Sequence, residues 1–327
     1  LTVGSLEKNA MPSPLIINFA PTGMIPTKQM TPHVPIDVSE IVESVHEACE
    51  LGITMVHLHA RDPRSGRPTY RAEVYAGIIG GVRKFAQDLI ICVSLSGRDF
   101  TEFERRAEPL ELDGALKPDM GSLTLSSVNF NKQASVNEPG MIQALALCMK
   151  ERDISPEFEA FDVGMINYAH YLEKKDLIAP PYYFNLLLGN VACAQADLLH
   201  AGIMIKDLPA RSYWSLAGIG DSQLSMNSVA IAVGGGVRVG LEDTIFLDRR
   251  RTTLASNRDL LARVHRIARE HHRPVMKPLE LRPLLGLKEG CGHYGRRRSA
   301  EHGHARGSVY QAHGPENQPV PASAATV

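Results

Sequence analysis

Short apolar runs rich in β-branched residues alternate with helix-period stretches along almost the whole of this 327-residue chain, and that alternation constrains its fold more than any other feature. Strands are expected over residues 15–20, 54–60, 89–94, 122–126, 157–161, 183–188, 213–217 and 237–240. Helices are expected over 39–51, 70–86, 101–107, 140–152, 165–175, 194–206, 222–233 and 256–271. Eight such units predict an α/β chain, a (β/α)8 TIM barrel spanning residues 14–289. A doubly wound open sheet is the rival, but its GxGxxG phosphate fingerprint is absent, and Gly234-Gly235-Gly236 precedes a strand rather than following one. Residues 1–13 read as an extension. Residues 290–327 carry Arg296-Arg297-Arg298 and four histidines (His293, His302, His304, His313), lack apolar periodicity and read as a disordered tail, with a loose metal or anion contact the less favoured use of those histidines.

Composition narrows the partners. Lys and Arg number 35 against 36 Asp and Glu, so electrostatics alone do not argue for a nucleic-acid or membrane surface. No apolar run approaches the roughly 20 residues that span a bilayer, and the first 14 residues lack the apolar segment of a signal peptide. Five dispersed cysteines without a CxxC (Cys49, Cys92, Cys148, Cys193, Cys291) read as reduced thiols of a cytoplasmic protein.

The sharpest local signal is Val56-His57-Leu58-His59-Ala60-Arg61-Asp62. Side chains alternate faces along a strand, so His57 and His59 point the same way, near the C-terminal end where barrel enzymes keep their chemistry. Two inward imidazoles need partners. A metal ion supplies one, and a pair of hydrogen-bonded histidines is the simpler alternative. The second signal is Arg238-Val239-Gly240-Leu241-Glu242-Asp243, at the end of the eighth strand. Closure sets strand eight beside strand one, with strand two next, so Glu242 can reach an ion on His57 and His59. Three protein ligands with one open position are the form of a catalytic zinc site. Taken singly, Glu242-Asp243 is more commonly an acidic turn or helix cap, and Arg238 a salt-bridge partner inside the barrel.

Together with other segments these motifs make a specific likeness. Pro21-Thr22-Gly23, the His57–Pro63 run, Ser94-Leu95-Ser96-Gly97, Leu123 to Asn129-Phe130, Pro156-Glu157-Phe158-Glu159, Leu188-Gly189, the Trp214–Gly220 run, Gly235–Asp243, Ser256-Asn257 and Leu284-Leu285-Gly286-Leu287 resemble the β-keto acid cleavage enzymes, the family of 3-keto-5-aminohexanoate cleavage enzyme, over about residues 15–287. The resemblance implies that a β-keto acid and acetyl-CoA give acetoacetate and a new acyl-CoA, in a homotetramer. It implies a zinc ion on His57, His59 and Glu242 that polarises the substrate ketone, with Asp243 deprotonating the substrate carbon. Arg238 and Ser94 would orient Asp243 and stabilise developing charge, and Glu159 would take part in proton handling; a strand-end carboxylate held by hydrogen bonds is the alternative for Glu159. Ser122 and Thr124 stand where the family places a threonine and an asparagine near the substrate carboxylate, and both can still donate hydrogen bonds. In the amino-substrate enzyme a glutamate follows the Thr-Gly-x segment and holds an ammonium. Here Ile25 follows Met24, and an apolar side chain cannot compensate a buried ammonium, so a neutral chain is expected instead.

Three other readings compete. An amidohydrolase also uses HxH on a barrel strand but needs further metal-binding histidines, and between residues 60 and 260 only His170 and His200 occur, both on expected helices. A metal-dependent aldolase would use the same Lewis-acid logic without coenzyme A. A non-catalytic metal-binding barrel would not need Asp243 and Arg238 beside the histidines.

Overall fold

The computed structural model describes residues 13–297. Its main strands are β1 (Ile17–Phe19), β2 (Met55–Leu58), β3 (Ile90–Val93), β4 (Met120–Thr124), β5 (Ser155–Ala160), β6 (Tyr182–Leu188), β7 (Ser212–Gly218) and β8 (Gly236–Val239). All pair in parallel and close into one barrel, each strand beside its neighbours in sequence and β1 meeting β8 at the seam. The α-helices are α1 (Val38–Leu51), α2 (Ala72–Arg83), α3 (Phe103–Ala107), α4 (Pro139–Glu151), α5 (Val163–Lys174), α6 (Leu198–Lys206), α7 (Gln223–Ala232), α8 (Asn257–Glu270) and α9 (Pro278–Leu284). The expected (β/α)8 TIM barrel is therefore the observed architecture.

Local signals set where the helices begin. Asp37 and Glu40 form a capping box at the start of α1, as Ser256 and Asp259 do at α8, each satisfying backbone N–H groups that the first turn leaves free. α1 then buries Ile41, Val45 and Ala48 against the outer faces of the strands. Every residue of β2, β3 and β8 is buried, because barrel strands are covered by helices outside and filled by side chains inside.

The period-2 alternation also stacks the interior in tiers. Ile16, Met55, Ile90 and Met120 make an apolar floor, sealed by Leu281 of α9 and by Leu285 and Leu287 just after it. Each of these three leucines is at most 1% exposed, and burying one contributes roughly 1.5–3 kcal/mol. Two residues further along the same strand faces come Asn18, His57, Cys92 and Ser122, with Glu157, Asn185 and Arg238 from the other strands, all buried. The strand side chains inside the barrel thus form an apolar layer toward its N-terminal end and a charged and polar one toward its C-terminal end.

Two parts of the chain were not anticipated. One is the plug helix α9. The other is residues 290–297, expected to begin a disordered tail. Gly295 N–H donates to Asp119 Oδ1 at 3.1 Å, Arg296 N–H to the Asp153 carbonyl at 2.6 Å, and Tyr294 lies buried under the Arg83 guanidinium, 3.7 Å from its ring centre. The packed barrel unit therefore continues to 297 rather than 289. Ser13, expected in the N-terminal extension, is likewise held: its carbonyl accepts from Arg273 Nε at 2.8 Å. The rest of the expected extension (1–12) and tail (298–327) lies outside the described residues. No helix among the described residues is long and apolar enough to cross a membrane, and none of the five cysteines is in a disulfide.

Candidate active site

His57 and His59 rise along one face of β2 and its C-terminal extension, and Glu242 meets them from the loop after β8. His59 Nε2 lies 3.3 Å from His57 Nε2 and 3.1 Å from Glu242 Oε1. Barrel closure brings together residues 183 positions apart. The Glu242 loop is pinned from both sides: Glu242 N–H donates to the Ala20 carbonyl at 3.2 Å, and Leu241 N–H to Asn257 Oδ1 at 3.0 Å. Gly23 in the loop after β1 has φ +64°, and a Cβ there would sit 2.5 Å from Glu242 Cγ. Glycine at that position is what lets the first loop close over the last strand's carboxylate. Arg61, the arginine of the HLHARD segment, ties the same loop down by donating to the carbonyls of Gly23, Pro26 and Gly66 at 2.8–2.9 Å.

Beneath the histidines lies Glu157 on β5, a residue of the Pro156–Glu159 segment whose role is not legible in the sequence. It is fully buried, and its Oε1 lies 3.1 Å from His57 Nδ1. The same oxygen accepts from Asn18 Nδ2 at 3.2 Å and from Asn185 Nδ2. With Nδ1–H committed to Glu157, a neutral His57 ring turns an unprotonated Nε2 toward His59 and Glu242. A carboxylate behind a histidine in this way is the support that metal-binding histidines commonly carry.

Arg238 stands at the centre. Its Nη2 is 2.6 Å from Glu242 Oε1, its Nε 3.3 Å from Asp243 Oδ2, and its Nη1 3.5 Å from Glu159 and 3.8 Å from Glu157. Burial opposes ionisation of Glu242, but Arg238 and the histidines hold its carboxyl well below the usual range. For Asp243 burial wins: it pushes the carboxyl up to about 6, against the pull of Arg238 and with Glu242 adding to it. Burial also opposes protonation of His57, yet Glu157 raises it above its ordinary value, whereas in His59 burial prevails and lowers it. Two neighbouring carboxylates are thus driven in opposite directions, which separates a permanently ionised group from one that can exchange a proton near neutrality.

The arrangement suits a cation. Four carboxylates (Glu157, Glu159, Glu242, Asp243) surround one guanidinium. Glu242 Oε2, Glu157 Oε2 and Arg238 Nη1 are buried without a hydrogen-bond partner among the described residues. His57, His59 and Glu242 offer ligand atoms all within 4.8 Å of one another, two imidazole nitrogens and a carboxylate oxygen, the donor set of an open zinc site. His57, Cys92 and Glu157 satisfy the same distance, but the Glu157 oxygen facing His57 is already filled by two asparagine amides.

A narrow cleft opens over His59, with Met24, Tyr70, Ser94, Ser96 and Phe100 in its wall. Ser94 therefore faces the cleft. No hydrogen bond joins it to Asp243 among the described residues, and Arg238 is the group that orients Asp243. From the loop after β1 it is Met24 that lines this cleft, while Ile25 is 51% exposed. Ser122 Oγ accepts from Leu95 N–H at 3.0 Å, and Thr124 Oγ1 donates to Glu159 Oε2 at 2.7 Å, so Thr124 has spent its proton within the protein. The histidines an amidohydrolase would need are elsewhere: His170 on α5 bonds the Asp207 carbonyl and His200 on α6 bonds Asp197.

Comparison with known proteins matches residues 14–287 to the model of one family, described as beta-keto acid cleavage enzyme. The 3-oxoadipate:acetyl-CoA acetyltransferase of Cupriavidus necator is 37% identical over 280 residues, 85% of this chain and 96% of that one. The 3-keto-5-aminohexanoate cleavage enzyme of Fusobacterium nucleatum is 36% identical over 278 residues, 84% of this chain and 98% of that one. Among solved structures, the ternary complex of ObcA with C4-CoA adduct and oxalate superposes with a TM-score of 0.68 at 20% identity, over 78% of this chain and 68% of that one, a likeness of fold. A family match across the whole barrel, carried by the strands and loops that build this site, means that the chain belongs to the beta-keto acid cleavage enzyme family.

Proposed function

We propose that this chain exchanges acyl groups between a β-keto acid and acetyl-CoA, releasing acetoacetate and a new acyl-CoA. The observation that carries the reading is Asp243, buried and raised to about 6, on Arg238 beside the His57, His59 and Glu242 cluster. Those three residues would hold a divalent zinc ion, which when bound supplies Lewis-acid polarisation of the substrate ketone. Asp243 takes a proton from the carbon between carboxylate and ketone. That carbon bonds to the acetyl carbonyl carbon as the C–S bond of acetyl-CoA breaks, and the departing thiolate adds to the original ketone. The bond between that ketone carbon and the central carbon then breaks, and acetoacetate leaves as its central carbon recovers the proton from Asp243. Arg238 holds Asp243 in line and keeps Glu242 ionised; Ser94 lines the cleft, Glu159 stands 3.5 Å from Arg238 Nη1 as the second candidate for proton handling, and Ser122 supports the loop after β3 through Leu95 N–H. Ile25, apolar where the amino-substrate enzyme carries a glutamate, supports a neutral chain over the 5-amino compound. A homotetramer goes with the family reading, supported by exposed Leu198 and Leu199 on α6 (70% and 69%).

The test is a panel of β-keto acids, each incubated with acetyl-CoA and the zinc-loaded protein while acetoacetate is measured. Acetoacetate formed only when both reactants are present supports the reading. Cleavage that proceeds without coenzyme A, as an aldolase would show, overturns it.

A further inference from the structure

The loop after β3 carries a cation that the chemistry above does not use. Arg98 follows Gly97 in the Ser94–Gly97 segment, and Ser96 and Phe100 on either side of it line the cleft over His59. Its guanidinium carbon lies over the Phe130 ring, 3.8 Å from the ring centre, and Phe130 is itself braced edge-on by Phe161 at 5.7 Å. Its Nε is buried and has no acceptor among the described residues. No carboxylate among the described residues forms an ion pair with it; Glu242, Asp99 and Glu159 act on it only through space, and burial lowers its pKa from the ordinary arginine value against their pull.

The backbone beneath it is fixed. A Cβ at Gly97 would meet the Val136 carbonyl oxygen at 2.3 Å and Arg106 Nη1 at 2.7 Å. Val136 N–H donates to the Gly97 carbonyl at 3.1 Å, and Gln133 to that of Arg98 at 3.4 Å. Arg106, close by, is already occupied by the Leu95 and Val136 carbonyls and Asn137. Arg98 is therefore a preorganised guanidinium with its donors uncommitted, next to a site whose substrates are carboxylic acids. A guanidinium fork matches a carboxylate in two parallel hydrogen bonds. The neighbouring hydroxyl on β4 cannot take that duty, because Thr124 gives its proton to Glu159.

We propose that Arg98 is the receptor for a carboxylate of the β-keto acid. The inference rests on the β-keto acid reading above. The carboxylate is either the one common to every β-keto acid, as the neutral chain favoured above requires, or one at the far end of the chain, and the test separates them.

The test compares 3-oxohexanoate with 3-oxoadipate, which differ by a terminal carboxylate, on the parent, Arg98→Gln and Arg98→Lys. Arg98→Gln is expected to raise the keto-acid KM by roughly 30-fold or more, the loss when one partner of a desolvated charge pair is removed. Arg98→Lys, a charge without the fork, should fall between. A rise confined to 3-oxoadipate identifies the far carboxylate, and equal rises identify the common one. Keto-acid KM values within about twofold of the parent, or a rise confined to KM for acetyl-CoA, overturn the proposal. Calorimetric titration with glutarate reads the contact without turnover. A parent that binds glutarate, with Arg98→Gln binding it more weakly, supports the receptor even if no β-keto acid is cleaved; equal binding by both overturns it. If Arg98→Gln does not fold, Arg98→Lys carries the same comparisons.

Discussion

The barrel buries charge at both ends and treats it in opposite ways. At the N-terminal end Asp119 is fully buried. Its Oδ1 accepts from Arg282 Nη1 at 3.0 Å and Gly295 N–H at 3.1 Å, and its Oδ2 from Arg83 Nη2 and Arg282 Nη2 at 2.9 Å and Ile91 N–H at 3.1 Å. Arg83 Nε is the one side-chain atom of that trio left without a partner. At the C-terminal end four carboxylates crowd one arginine, and Asn18 Oδ1, Thr22 Oγ1, Glu157 Oε2, Glu242 Oε2 and Arg238 Nη1 have no partner among the described residues. A saturated cluster locks a fold in place, whereas an unsaturated one is kept at a cost in stability and marks where something else is to bind. Conformity to the hydrogen-bonding rules at one end and departure from them at the other divides structure from function along a single axis.

Substitutions at the two ends should therefore fail differently. The largest effect is expected from His59→Ala: zinc and acetoacetate formation are both lost while thermal unfolding remains cooperative, because the apolar floor does not depend on the ion. Elemental analysis beside a melting curve checks this, and a His59→Ala protein with a full zinc content breaks the metal assignment. Next, Asp243→Asn should keep the metal and lower turnover by about 10²–10⁴, the range for a lost general base. Turnover within a few-fold of the parent would move the base to Glu159. At the opposite end, Asp119→Ala leaves two buried guanidiniums without their shared partner and should cost about 3–5 kcal/mol of stability, read by urea unfolding. The folded fraction should keep its zinc and kcat; lost activity at full stability would erase the division between the ends. The smallest effect concerns Ile25. With 51% exposure, an ion pair made there is screened and contributes about 0.5–1 kcal/mol. Ile25→Glu should therefore shift the kcat/KM ratio of the 5-amino substrate to its neutral counterpart by only about two- to fivefold. No shift at all would mean that the substrate's far end lies along Met24 instead.

How far the sequence reaches follows the same division. The strands were legible because each is a short apolar run, and the observed bounds depart from the expected ones by a residue or two at most ends. The histidine pair was legible because period-2 alternation needs only β2 itself, and Glu242 because barrel closure is a topological rule. Glu157 sits at the same alternation as Glu159 on β5, so its inward direction could be read. Its pairing with His57, 100 residues away, could not. Residues 290–297 and α9 were missed for a related reason. Glycines, and Pro283 inside α9, hide any periodicity, and what holds the final segment is Asp119, a partner that only the folded barrel supplies. Arg98 gave no signal either, since an arginine without a partner looks in sequence like any surface arginine.

The seam between β1 and β8 carries one more consequence. His59 and Glu242 come from opposite ends of the chain and meet only when the ring is complete. During synthesis most of the barrel must emerge before Glu242 exists. An ion held by all three residues would thus report that the chain has been made past β8 and the ring closed. A fragment that ends before β8 would carry the two imidazoles and still lack the clasp.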